Sequence, residues 1–162
     1  MELLVEAVEY ADRQFYARLS EGNERIEQAS DKLVHLIEET SLGPGGLNDY
    51  TLWMEIWVRA RRDERVCRSY FRLDRRQRAL IADIVREGQR AGEFTADADA
   101  DDFALALSGL LDGLGVQVTL GQPDLTPERM VDRCLAIASS ELGFDFTRRS
   151  AIEKSSETGV KP

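Results

Sequence analysis

The densest group of aromatic side chains in the chain is Tyr50, Trp53, Met54 and Trp57, recurring at helical spacing. On a helix these four share one face. Two indoles one turn apart can wall an apolar ligand pocket or pack as plain core, and the spacing fits both. Gln77 falls on an apolar stripe with Leu73, Leu80 and Ile84. Its amide is either a satisfied core polar group or a hydrogen-bonder in a pocket. His35, the single histidine, projects opposite the stripe Ile26, Ala29, Leu33, Leu36 and Ile37 and reads as solvent-facing. Cys67 and Cys134 form no CxxC pattern and read as small buried apolar residues in a reducing compartment. One histidine excludes a His-rich metal site, and the chain has no GxSxG, phosphate-binding glycine loop or dinucleotide fingerprint. Its carboxylates sit on polar helix faces. No nucleophile, base and orienter assemble, so neither an enzyme nor a cofactor is expected.

The elements that must carry these residues are helices. The chain has 162 residues, 43% of them hydrophobic and only 4 prolines, which suits one domain with a sizeable core. Net charge is −9, which argues against this chain alone holding a nucleic-acid backbone. Arginine is concentrated in residues 59–90, and this run reads as a solvated face paired with Asp74, Asp83 and Glu87. The N-terminus carries neither a basic region nor a long apolar run, so the cytoplasm is the expected compartment.

Leu4, Val8, Ala11, Phe15 and Leu19 predict an uncapped amphipathic helix over about residues 2–20. A turn at Glu21-Gly22-Asn23 leads to a second helix over about 24–40, and a third starts near Asn48 or Asp49. Asp63 is a candidate cap for a long fourth helix, about 64–91, that ends on Gly92. Thr126-Pro127-Glu128 starts the last helix, about 127–142. Between them, Phe103 to Leu120 is apolar or small nearly all the way round. One broad face holds Phe103, Leu107, Leu110, Leu111, Leu114 and Val118; a second holds Leu105, Gly109, Val116 and Leu120. Asp112 in mid-segment, three glycines and an acidic upstream flank argue against a membrane span. A second copy of the chain is the expected cover for the second face, with a central core helix in a monomer as the competing reading.

The run Leu52-Trp53-Met54-Glu55-Ile56-Trp57-Val58-Arg59-Ala60-Arg61-Arg62-Asp63 resembles the ligand-binding domain of tetracycline-repressor (TetR) family regulators. So do Ile84 to Phe94, IVREGQRAGEF, and Leu110 to Gly115, LLDGLG. With the capped last helix the resemblance covers about residues 50–142. Residues 2–19 look like the helix that links the family's DNA-binding module to this domain.

The resemblance implies an all-α, six-helix regulatory domain whose last two long helices form a dimeric four-helix bundle. It implies a linker helix over 1–20, an effector-binding and dimerisation domain over 21–146, and a disordered tail over 147–162. The family opens with a helix-turn-helix head, which nothing before Met1 supplies, so DNA would be reached only through a missing head. Tyr50, Trp53, Trp57, Tyr70, Phe71, Phe103 and Leu107 are the candidates for an effector pocket, with Gln77 as its orienting polar group. The implied effector is small and largely apolar. Leu105, Gly109, Val116, Leu120, Val131 and Leu135 are the candidates for a homodimer interface. The alternatives are a headless interaction module that pairs with full-length regulators, or a purely structural helical dimer.

Overall fold

The computed structural model describes residues 2–43 and 46–146, the side chains of Glu2 and residues 46–49 excepted. The expected tail at 147–162 lies outside the described residues. Six helices follow one another: α1 (Glu2–Asn23), α2 (Ala29–Leu42), α3 (Gly46–Ala60), α4 (Glu64–Ala91), α5 (Ala100–Thr119) and α6 (Pro127–Leu142). Among the described residues there is no strand.

Local chemistry sets most of the helix ends. The Asp63 carboxylate accepts from the backbone N–H groups of Arg65 and Val66, which starts α4, and Gly92 ends it in the left-handed conformation at φ 73°. Asp99 starts α5 by accepting from the N–H groups of Asp101 and Asp102. That begins the helix at Ala100, ahead of the expected apolar start at Phe103. Thr126 accepts from the Arg129 N–H, Pro127 fills the first turn, and Gly143 closes α6. Helix α3 already runs from Gly46, so Asn48 and Asp49 fall inside its first turn, not at its cap.

Two ends depend on distant residues. Helix α1 continues through the expected turn to Asn23, where the Asn23 side-chain oxygen lies 3.0 Å from His35 Nδ1. The His35 ring packs so closely on Gly22 that a β-carbon there would come within 2.1 Å of it. His35 therefore ties α2 to the end of α1 and is half-buried, contrary to the solvent-facing expectation. Helix α2 starts at Ala29, five residues later than expected, because its cap comes from elsewhere. Glu93, in the α4–α5 connection, accepts from Ala29 N at 3.0 Å, Ser30 N at 2.9 Å and Ser30 Oγ at 2.8 Å. Burial alone would raise the Glu93 carboxyl, but these hydrogen bonds outweigh it and hold it below the ordinary value. The cap therefore contributes stability above the unfolded carboxylate pKa and loses it as pH falls through the lower folded value. Glu93→Ala should cost about 1–2 kcal/mol in urea unfolding at neutral pH, with the difference fading in acid.

The main core joins α2, α4, α5 and α6 around Leu36, Ile37, Ile81, Leu111 and Met130. Phe103 and Leu107 belong to it. So do Val131 and Leu135, only 6% and 5% exposed; they face their own core and not an outer surface. A smaller cluster of Val8, Ile56, Val66 and Leu73 fixes α1 against α3 and α4. Outside it, α4 arginines reach α1: Arg72 pairs with Glu9, and Arg76 pairs with Asp12 at 2.8 Å. The arginine run is thus partly a clasp on α1, beyond the pairings within α4 that its spacing suggested.

Candidate functional site

Helices α1 to α5 leave an open cleft between them. Ala11, Asp12, Phe15, Tyr16 and Arg18 of α1 form one side, and Glu39 and Thr40 of α2 adjoin them. Helix α3 supplies Tyr50, Trp53 and Trp57; α4 supplies Tyr70, Asp74 and Gln77; α5 supplies Asp112.

The aromatic wall is held from behind. Tyr50 donates to the Leu111 carbonyl at 3.0 Å. Its ring fits because residue 115 is glycine: a β-carbon there would approach Tyr50 Cζ within 2.1 Å. Burial pushes the Tyr50 hydroxyl well above its ordinary value, so it is a neutral phenol. Trp53 meets Tyr70 edge-on, with ring centroids 6.5 Å apart, and Phe15 meets Tyr16 the same way at 5.2 Å. The Trp57 indole N–H lies near the Tyr70 hydroxyl. It reaches no hydrogen bond of ordinary geometry, and the Tyr16 hydroxyl is likewise buried without a partner. The Arg76 guanidinium lies 3.6 Å from the centre of the Tyr16 ring, so one cleft aromatic already carries a cation.

Four carboxylates line the same space. Asp12 faces Arg76, Glu39 faces Arg18 at 3.2 Å, and Asp74 faces Arg78. Asp112 has neither a cation nor a hydrogen-bond donor among the described residues. Burial pushes its carboxyl up to about 6, and the charge of Asp74 adds to the effect. Among the described residues no three His, Cys, Asp or Glu side chains are grouped to hold a metal ion.

Of the eight candidate pocket residues, Tyr50, Trp53, Trp57, Tyr70 and Gln77 line this cleft. Phe103 and Leu107 do not: they turn the buried face of α5 into the core. Phe71 lies on the outer surface beside Tyr70. The sequence reading missed the whole α1 wall and all four acids. Only Asp112 had a signal, as the lone carboxylate within an otherwise apolar or small stretch.

Three solved structures resemble this chain in fold. A transcriptional regulator from Saccharomonospora viridis in complex with choline superposes with a TM-score of 0.80 at 26% identity, covering 87% of this chain and 73% of that one. A regulator from Pseudomonas aeruginosa gives 0.73 at 25% identity, covering 85% and 67%. A TetR-family regulator from Rhodococcus sp. gives 0.75 at 20% identity, covering 86% and 73%, and shares the fold. No curated protein matches the chain. The six helices are the C-terminal regulatory domain of a TetR-family regulator. Within that class, residues 23–143 match the C-terminal domain of BetI-type transcriptional repressors, and the chain belongs to that family. Its relatives regulate transcription, and it is not an enzyme. No described helix is long and apolar enough to cross a membrane.

Proposed function

We propose that this chain is the effector-binding and dimerisation domain of a cytoplasmic TetR-type regulator, and that its effector is a small organic cation with an apolar body. The quaternary ammonium class fits best. The observation that carries this reading is the pairing of six lining aromatics with Asp112, a carboxylate that lacks a cation of its own. A quaternary ammonium group has no N–H to satisfy. It gains from aromatic faces through their quadrupoles and from a nearby carboxylate through Coulomb attraction, both strengthened where water is thin. A wholly apolar effector, which the aromatic residues alone suggested, would desolvate several carboxylates and return nothing to them. The choline held by the Saccharomonospora viridis neighbour supports the same ligand class.

Titration of choline against its uncharged carbon analogue 3,3-dimethylbutan-1-ol, followed by tryptophan fluorescence and calorimetry, tests this. Choline should bind at least about tenfold more tightly, as expected when cation–π and carboxylate attraction are both lost. Trp57→Ala should weaken choline by about tenfold or more, with helicity by circular dichroism confirming that the variant is folded. Equal binding of the two compounds would overturn the cation reading and restore an apolar effector.

A further inference from the structure

We propose that Asp112 is the counter-ion of the bound cation and that it meets the cation only by giving up a proton, so effector affinity in this cleft is coupled to pH. The inference rests on the cation reading above and adds to it a specific residue and a linked proton. It starts from an asymmetry among the cleft carboxylates. Asp12, Glu39 and Asp74 each face an arginine, whereas Asp112 faces none.

The groups around Asp112 offer no compensation. Helix α4 brings Asp74, already joined to Arg78, and the Tyr70 phenol. Helix α3 brings the neutral Tyr50 phenol, which itself responds to the charge of Asp112 and to Cys134 of α6. Helix α2 brings Glu39, bound to Arg18 of α1, and α1 brings Asp12, bound to Arg76. Two carboxylates that share a half-buried cleft with no free cation resist double ionisation, and the one without a partner holds its proton to a higher pH than an ordinary carboxyl. The pull of burial and of Asp74 on Asp112 agrees with this geometry.

Cation entry reverses the balance. Where the empty cleft holds Asp112 as the neutral acid, below about pH 6, the acid releases one proton to solvent and its carboxylate then faces the quaternary nitrogen, so charge in the cleft is conserved. Choline does not titrate its ammonium group, so the pH dependence belongs to the protein. For a carboxyl that titrates at about 6 in the empty cleft, affinity is flat above that pH and falls about tenfold per unit below it. Choline should therefore bind about tenfold more weakly at pH 5 than at pH 7.5.

The experiment is calorimetry of the intact chain with choline from pH 5 to 7.5, in buffers of different ionisation heat. The expected result is close to one proton released per choline at pH 5 and almost none at pH 7.5. Asp112→Asn should bind at least about tenfold more weakly at pH 7.5, with a flat profile. Asp74→Asn should move the midpoint to lower pH, because it removes a negative neighbour and frees Arg78. Tight choline binding with no proton release and a flat wild-type profile would overturn this inference and leave the cation reading standing. A normal pH profile in Asp112→Asn would assign the proton to another group and overturn it equally. No choline binding at any pH would remove the cation reading itself. The proton count is made on the wild-type chain, so a variant that fails to fold does not spoil the test.

Discussion

Asp112→Asn should raise the stability of the ligand-free chain at pH 7.5 by about 2–3 kcal/mol, or roughly 5–10 °C in melting temperature. The carboxyl is pushed from its ordinary 3.8 up to about 6, first by burial and then by Asp74. A carboxyl raised in the folded state binds its proton through a range in which the unfolded chain has already released it. Folding is therefore unpenalised below about pH 4, and stability is lost progressively as pH rises towards 6. Above 6 the full penalty persists, because the folded chain must hold a charge that nothing in the cleft compensates. Asparagine keeps the shape and removes the charge. Chemical denaturation of both proteins at pH 4 and 7.5 checks this: the curves should nearly coincide in acid and separate at neutrality. Equal stability at pH 7.5 would mean that water reaches Asp112 freely, which would also weaken its assignment as a waiting counter-ion. Saturating choline should narrow the gap by stabilising the wild type more than the variant. A binding site that costs stability when empty is the usual trade between function and fold.

How much of this could be read in advance depended on where each determinant lies along the chain. Helices α4 and α6 have the bounds their sequence predicted, because Asp63, Gly92 and Thr126-Pro127 cap them locally. The start of α2 could not be placed, since its cap is Glu93, which only the fold brings to Ala29 and Ser30. The same division runs through the cleft. Tyr50, Trp53 and Trp57 stand out because they recur on one short helix. Asp12 and Asp74 look like any solvated helix acid until α1 is laid across the opening. Periodicity marks an inward face on α5 but not its depth, so Phe103 and Leu107, pocket candidates by resemblance, lie instead in the core. Helix α1 has a plain amphipathic pattern that reveals an apolar face without revealing what the face covers. His35 was misplaced for a similar reason, because its partner Asn23 belongs to a neighbouring helix end.

The purified chain should sediment as a dimer at micromolar concentration, and Val116→Asp should dissociate it. Leu105, Gly109, Gly113, Val116 and Leu120 follow one another along a single side of α5. Leu105 and Leu120 are 55% and 72% exposed in the isolated chain. A β-carbon built on Gly109 or Gly113 would meet nothing within 4 Å, so the middle of the stripe is an open shallow groove. Ile137 of α6 is also exposed. Two such surfaces joined by a two-fold axis form an isologous contact, and a stable interface of this kind buries on the order of 2,000 Å². Symmetry places every change in it twice, so an aspartate at Val116 would be desolvated twice without a partner. Arg75→Asp, on the solvated face of α4, should leave the dimer intact. The glycines sharpen the test. In a monomer, Gly109→Ala and Gly113→Ala would each stabilise a helix by about 0.5–1 kcal/mol. Across a close helix contact the added methyl groups would instead hold the two chains apart and shift the equilibrium towards monomer. Leu135 gives the opposite control: it lies in the core of its own chain, so Leu135→Asp should unfold the protein and not produce a folded monomer. If wild type and Val116→Asp both sediment as folded monomers, and the two alanine variants melt higher than wild type, the α5 stripe is a bare surface and dimerisation through it is ruled out.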